Sequence, residues 1–298
     1  MGNGQLKAPT QSKVGFITMA YGRQRYIDQA VALARSVKHH MPDQPIVLVT
    51  DRKEPCAPFD SQIVMDDYKL AGTVLKTLIY KYSPFEETMF IDSDCLLTRD
   101  CSPEVAQIRQ HAFTPVVNTY LRAGDTDLWL EDVGKAVRLV GGESFPKFNG
   151  GVYFFRKSAE AEAVFATAEE MRARQVELGI LDFDSAGPGE ETLFGLAMAK
   201  LGITDLYDDN GRLMRTPLNA TGPIHLDVLR GECNFEKQGK RVEPAIVHFC
   251  GEWIDHPAYR IAVEELARGK RLPALQRAAI RAKYRADRLK AKIARQFS

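Results

Sequence analysis

Residues Thr88–Asp100 read TMFIDSDCLLTRD: a short apolar run, two aspartates one residue apart, and apolar residues again. A strand that is apolar at every position is buried on both faces, so the two carboxylates stand where charge leaves water. That is costly without compensation, and Asp92 and Asp94 therefore require a partner. In an extended segment alternate side chains share a face, which lets Asp92 and Asp94 converge while Ser93 points away. Two hard carboxylate oxygens suit Mg²⁺ or Mn²⁺, with an anion such as phosphate completing the shell. The plain alternative is a solvated strand end, because an Asp-x-Asp (DxD) pattern is common by itself.

Working outward, Val14–Ala20 (VGFITMA) and Gln44–Asp51 (QPIVLVTD) are β-branched runs on either side of Arg23–His40. In that middle segment Ile27, Ala30, Val31, Leu33, Ala34 and Val37 recur at helical spacing, which predicts a βαβ unit. Such units bind ligands at the carboxyl ends of their parallel strands, so the loops after Ala20 and Val49 are candidate binding positions. Strands are also expected at Ser61–Met65, Thr88–Ile91, Ala112–Tyr120 (with Pro115 marking an edge or bulge), Phe148–Phe155 and Pro244–Phe249. Helices are expected at Thr73–Tyr82, Ser102–Gln110, Asp132–Val140, Ser158 to about Leu178, and Glu190–Leu201. Leu181–Gly189 reads as loop. There is no internal repeat, and no linker before about residue 257.

At 298 residues with 45% apolar content the chain supports one large α/β domain or two smaller ones. Lys and Arg total 40 against 39 acids, so the whole-chain charge excludes little. Its distribution is uneven: Arg268–Ser298 holds eleven Lys or Arg and one acid, Asp287, leaving a deficit of −9 on the remainder. The five cysteines are odd in number and lack a CxxC pair, against a zinc knuckle or a disulfide framework. The polar N-terminus has no apolar core for a signal peptide, and no apolar run is long enough to span a membrane. A cytoplasmic location is expected, peripheral on a membrane at most.

Three further features draw attention. His248 follows the apolar run PAIV; Asn149-Gly150-Gly151 offers an amide and a backbone free of side chains; Glu190 and Glu191 open a helix. Each has a bland account: a core histidine, a tight turn, and acids at the positive end of a helix dipole.

Taken in order, FIDSDCLL, FNGGVYFF, GPGEET and VHFCGE after a βαβ start resemble the retaining glycosyltransferases of the glycogenin and lipopolysaccharide galactosyltransferase type, family 8-like. The resemblance covers about residues 12–257. It implies a GT-A fold, an α/β Rossmann-like mixed sheet flanked by helices, over residues 1–257, with 258–298 as a basic helical extension. Lys76, sixteen residues before Asp92, matches a lysine that contacts the donor in such enzymes. By the same resemblance Asp92, Asp94 and His248 hold Mn²⁺ (or Mg²⁺) against the diphosphate of a nucleotide sugar, and Ser93 meets the ribose. Thr18, Ala20, Tyr21 and Asp51 fall at nucleotide-binding positions, Asn149 and Gly150 near the sugar and acceptor, and Gly251 beside the metal histidine.

The sequence departs from the family at two points. Glu190-Glu191 stands where Asp-Gln is common, which makes Glu191 a candidate covalent nucleophile or electrostatic stabiliser of an oxocarbenium ion. Ile254 stands where the pattern HFxGxxKPW places a phosphate-binding lysine; His256 or Arg260 are the candidate substitutes. The implied activity is transfer of a hexose, UDP-linked, to a glycan or lipid-linked saccharide with retention. Competing readings are a glycosyltransferase acting on nucleic acid or protein, a sugar nucleotidyltransferase (to which TMAYGRQR is a poor match), and a decayed nucleotide-sugar-binding module.

In the tail Leu275, Ala279, Ala282, Ala286, Leu289, Ile293 and Phe297 form one helical stripe within a basic helix. It packs on the domain through its Ala-rich side, or meets an anionic membrane surface, or a nucleic acid; with two aromatics, base stacking has little support.

Overall fold

A computed structural model describes residues 14–65 and 72–296, the side chains of 292 and 294–296 aside. The N-terminal segment and Phe297, both addressed by the sequence expectations, lie outside the described residues.

The first half alternates strand and helix: β1 (Gly15–Met19), α1 (Gln24–His40), β2 (Ile46–Thr50) and β3 (Ser61–Val64). A 3₁₀ turn, Gly72–Leu78, runs into α2 (Ile79–Tyr82), then β4 (Glu87–Ile91), β5 (Cys95–Leu97), α3 (Ser102–Ile108) and β6 (Phe113–Leu121). Next come α4 (Val133–Leu139), β7 (Phe145–Arg156), α5 (Ala159–Ala173), α6 (Gln175–Leu178), the short hairpin β8 (Asp182–Asp184) and β9 (Gly187–Pro188), and α7 (Glu190–Leu201). The last third holds β10 (Met214–Arg215), β11 (Ala220–Asp227), β12 (Glu232–Lys237), β13 (Lys240–Val242), β14 (Ile246–His248), α8 (Pro257–Arg268) and α9 (Ala274–Gln296).

The central sheet has the order β3-β2-β1-β4-β7-β6, parallel across β3, β2, β1 and β4 and antiparallel from β4 to β7 to β6. Alternation along its strands feeds two cores. Ile17, Met19, Phe90, Tyr153 and Phe155 face one cluster with residues of α5 and α7; Phe16, Met89, Ile91, Val152 and Phe154 face another with α1 and α3. Apolar residues on both faces make this a sheet covered on both sides.

Pro115 lies on the edge strand β6, beside register shifts on either side of Val117, as its missing N–H requires. Several expectations are revised. The single helix from Ser158 to Leu178 is two, broken at Arg174. Leu181–Gly189 carries the β8–β9 hairpin. Strand β7 begins at Phe145, so the two glycines lie inside it. The antiparallel sheet β11-β12-β13 was not expected at all.

The domain boundary expected at 257 falls at the start of α8. Tyr259, Ala262 and Leu266 of α8 share a core with Leu96, Val247 and Phe249, so the packed body continues through that helix. Helix α9 is held by Arg277, which donates to Glu265 through Nε (2.8 Å) and Nη2, by Arg288 on Glu252 (2.6 Å), and by Tyr284 against His256. Its apolar stripe faces away: Leu275 is 85%, Leu289 59% and Ile293 46% exposed. Packing through the Ala-rich side is therefore not what the helix does.

Candidate active site

The buried strand β4 ends at Ile91, and the chain turns through Asp92-Ser93-Asp94 before entering β5. The two aspartates thus converge through a turn rather than by strand alternation. Asp92 N–H donates to the Gly151 carbonyl (2.9 Å), Cys95 N–H to the Asp92 carbonyl (3.0 Å), and Phe249 N–H to the Asp94 carbonyl (3.1 Å). Strand β5 pairs antiparallel with β14, register His248 with Cys95. This pairing brings His248 beside Asp94 from 154 residues away in sequence: Nε2 lies 2.9 Å from Asp94 Oδ1 and 3.7 Å from Asp92 Oδ2.

The other imidazole nitrogen, Nδ1, meets Asn149 Oδ1 at 2.5 Å. An amide oxygen only accepts, so Nδ1 carries a proton and Nε2 is the nitrogen directed at the aspartates. Asn149 thereby orients the histidine as an outer partner orients a metal ligand. Lys76 is buried and donates to Asp92 Oδ2 (2.6 Å) and Glu190 Oε1 (2.7 Å). Burial depresses the Lys76 ammonium, but Asp92 and Glu190 outweigh it and hold its pKa well above the ordinary lysine range. Likewise burial opposes the charges of Asp94 and His248, and their mutual attraction prevails, lowering the acid and raising the base.

Glu191 Oε1 accepts from Gly150 N–H (2.7 Å) and Asn149 Nδ2 (3.4 Å). Burial and then the neighbouring Glu190 push its carboxyl above the ordinary glutamate value. The glycines of β7 make room for these side chains. A Cβ on Gly150 would lie 2.4 Å from Glu190 Oε1, and one on Gly151 would lie 2.5 Å from His248 Nδ1. The free backbone expected here is occupied by the site's own groups.

Two cavities meet at Thr73, Lys76, Asp92 and Asp94. One, of about 580 Å³, is lined by Ala20, Tyr21, Tyr26 and Ser93. The other, about 750 Å³, takes in Asn149, Glu190, Glu191, His248 and Gly251. Thr18 is buried in β1 and lines neither. Asp51 supports the smaller cavity from behind, its Oδ2 accepting from Gly22 N–H (3.0 Å). Tyr21 is tied across it by its hydroxyl, which donates to the Gly72 carbonyl (2.8 Å). Ile254 is half-buried in the core around Phe249. His256 and Arg260 line neither cavity: His256 caps α8, Nδ1 accepting from Ala258 N–H (3.2 Å), and Arg260 is exposed.

Asp94, Cys95 and His248 bring ligand atoms within 4.8 Å of one another. The Cys95 thiol is kept protonated by burial and donates to the Gly151 carbonyl (3.6 Å), which leaves the carboxylates and imidazole as the hard donor set. Sequence reasoning missed Asn118, Trp129, Phe183, Arg215 and Lys237, all on the wall of the larger cavity. The one local signal was Gln238-Gly239 between NFEK and KRV, a hairpin turn that carries Lys237.

No family model matches the chain, and no curated protein matches it by sequence. Among solved structures it is similar to LgtC with an active-site glutamine-to-glutamate exchange, at TM-score 0.50 and 17% identity over 88% of this chain and 99% of that one. The fold is GT-A. Galactosyltransferase LgtC in complex with donor and acceptor sugar analogues is similar at TM-score 0.49 and 16% identity, over 89% of this chain and 99% of that one. The apo WbbM bifunctional glycosyltransferase follows at 0.45 and 13%, over 90% and 53%. Within the GT-A fold of this chain, the site lies at the carboxyl ends of β1 and β4, where open α/β sheets bind ligands.

Proposed function

We propose that the protein is a metal-dependent glycosyltransferase that moves a hexose from a nucleotide sugar, UDP-hexose, to a glycan or lipid-linked saccharide with retention. The carrying observation is the convergence of Asp92, Asp94, His248 and Lys76 where the two cavities meet. The donor set fits a hard divalent ion. Asp94 Oδ1 is buried and accepts no well-angled hydrogen bond, and two carboxylates with one oriented imidazole are Mn²⁺ or Mg²⁺ ligands by type. Such an ion, when bound, offsets the charge of the departing diphosphate as a Lewis acid.

The smaller cavity receives the nucleotide, with Ser93 and Tyr21 on its wall, and the larger receives the sugar and acceptor. Lys76 holds Glu190 in place and faces the junction as a fixed positive charge. Glu191, steadied by Gly150 and Asn149, presents a carboxylate to the sugar, either as nucleophile or as the anion that stabilises positive charge at the anomeric carbon. The exposed apolar stripe of α9, flanked by basic residues, favours an anionic membrane surface over nucleic acid as its partner. Incubation with Mn²⁺ and a panel of nucleotide sugars tests the reading. Metal-dependent release of UDP from one UDP-hexose supports it, and failure to bind or hydrolyse any donor refutes it in favour of a decayed module.

A further inference from the structure

Two cations on the wall of the larger cavity have no assigned work. Arg215 ends β10 in register with Val247, one residue before His248. Lys237 ends β12 opposite Ala220 of β11. Both line the cavity and both are half-buried. Arg215 Nη1 donates to Asn118 Oδ1 (3.0 Å) and Lys237 Nζ to the Thr216 carbonyl (2.8 Å), both neutral acceptors. Among the described residues neither has a carboxylate partner, whereas Lys147 on the same wall is neutralised by Asp127 at 2.7 Å. Burial and then the nearby Arg215 depress the Lys237 ammonium, so the two charges act on one another. Two neighbouring half-buried cations without an anion are unfavourable unless a ligand supplies one.

An arginine fork beside a lysine is suited to phosphate or carboxylate. The same cavity is lined by Trp129 and Phe183, packed at 4.9 Å between ring centroids, and by Leu128 and Leu218, a surface for a sugar ring.

We propose that Arg215 and Lys237 bind a phosphate or carboxylate carried by the acceptor, so that the acceptor is an anionic saccharide; this rests on the sugar-transfer reading of the site. Calorimetric titration in the presence of Mn²⁺ and UDP compares glucose 6-phosphate and glucuronic acid with methyl glucoside, on the native chain and on R215Q/K237Q. At least one anionic sugar should bind the native chain tenfold or more tighter than the neutral one, and the variant should lose that preference. Equal affinities for anionic and neutral sugars on the native chain would overturn the proposal. So would a variant whose UDP affinity falls by the same factor, which gives the pair to the donor's diphosphate. A native chain that binds no UDP with Mn²⁺ refutes the sugar-transfer reading itself, a result distinct from the other two.

Discussion

In the proposed sugar transfer, Glu191 is the residue on which the chemistry would turn. Its carboxylate is held by Gly150 N–H and Asn149, and both roles open to it require the negative charge. Glu191→Gln keeps the shape and removes the charge, and should lower turnover by about two to three orders of magnitude with little change in donor affinity; near-native turnover would exclude both roles. Because burial and Glu190 raise its pKa, protonation sets in at higher pH than for an ordinary glutamate. Turnover should therefore fall on acidification above the usual glutamate range near 4.5. At this scale much was legible: Lys76, Asp92 and Asp94 line both cavities, and Asn149, Glu190, Glu191 and His248 line the larger one. Thr18 and Asp51 line neither cavity, because sequence position near a strand end does not say which way a side chain points. Arg215 and Lys237 were invisible because only the β10–β14 and β11–β12 pairings carry them to the wall.

The elements position these groups through close approach. Strand β7 passes so near β14 that Gly151 has no room for a methyl group beside His248. Gly151→Ala should cost about 1–3 kcal/mol of stability by overpacking, read as a lowered midpoint in urea. By displacing the histidine it should also weaken Mn²⁺ affinity about 10- to 100-fold, read by calorimetry. Native Mn²⁺ affinity in a folded G151A protein would mean that His248 is no ligand. The parallel half of the sheet was readable from its β-branched runs and helical spacing. The sheet β11-β12-β13 was not, because its strands are half exposed and mixed in polarity, so no clear period marks them.

For the whole molecule, α9 presents its apolar stripe outward. Lys283, Arg285 and Lys290 are exposed on a helix whose apolar stripe is also exposed. Replacing the three with Gln should weaken binding to phosphatidylglycerol vesicles by about 3 kcal/mol, roughly a hundredfold, at about 1 kcal/mol each. The melting temperature should not change, since none of the three is packed, and sedimentation with vesicles at low and high salt reads the effect. Native binding that ignores both salt and the substitutions would leave the tail without a membrane role. Among the described residues no helix is long and apolar enough to cross a membrane.

Asp92, Asp94 and His248, which would hold a divalent ion, come together where the chain leaves β4 and where β14 ends. Titration of Mn²⁺ followed by its electron paramagnetic resonance, with and without UDP, on the native chain and on Asp94→Asn, tests for that ion most directly. About one tightly bound Mn²⁺ per chain is expected, tightened by UDP and lost in the variant; no binding by the native chain, or binding that Asp94→Asn leaves unchanged, would contradict a metal site here.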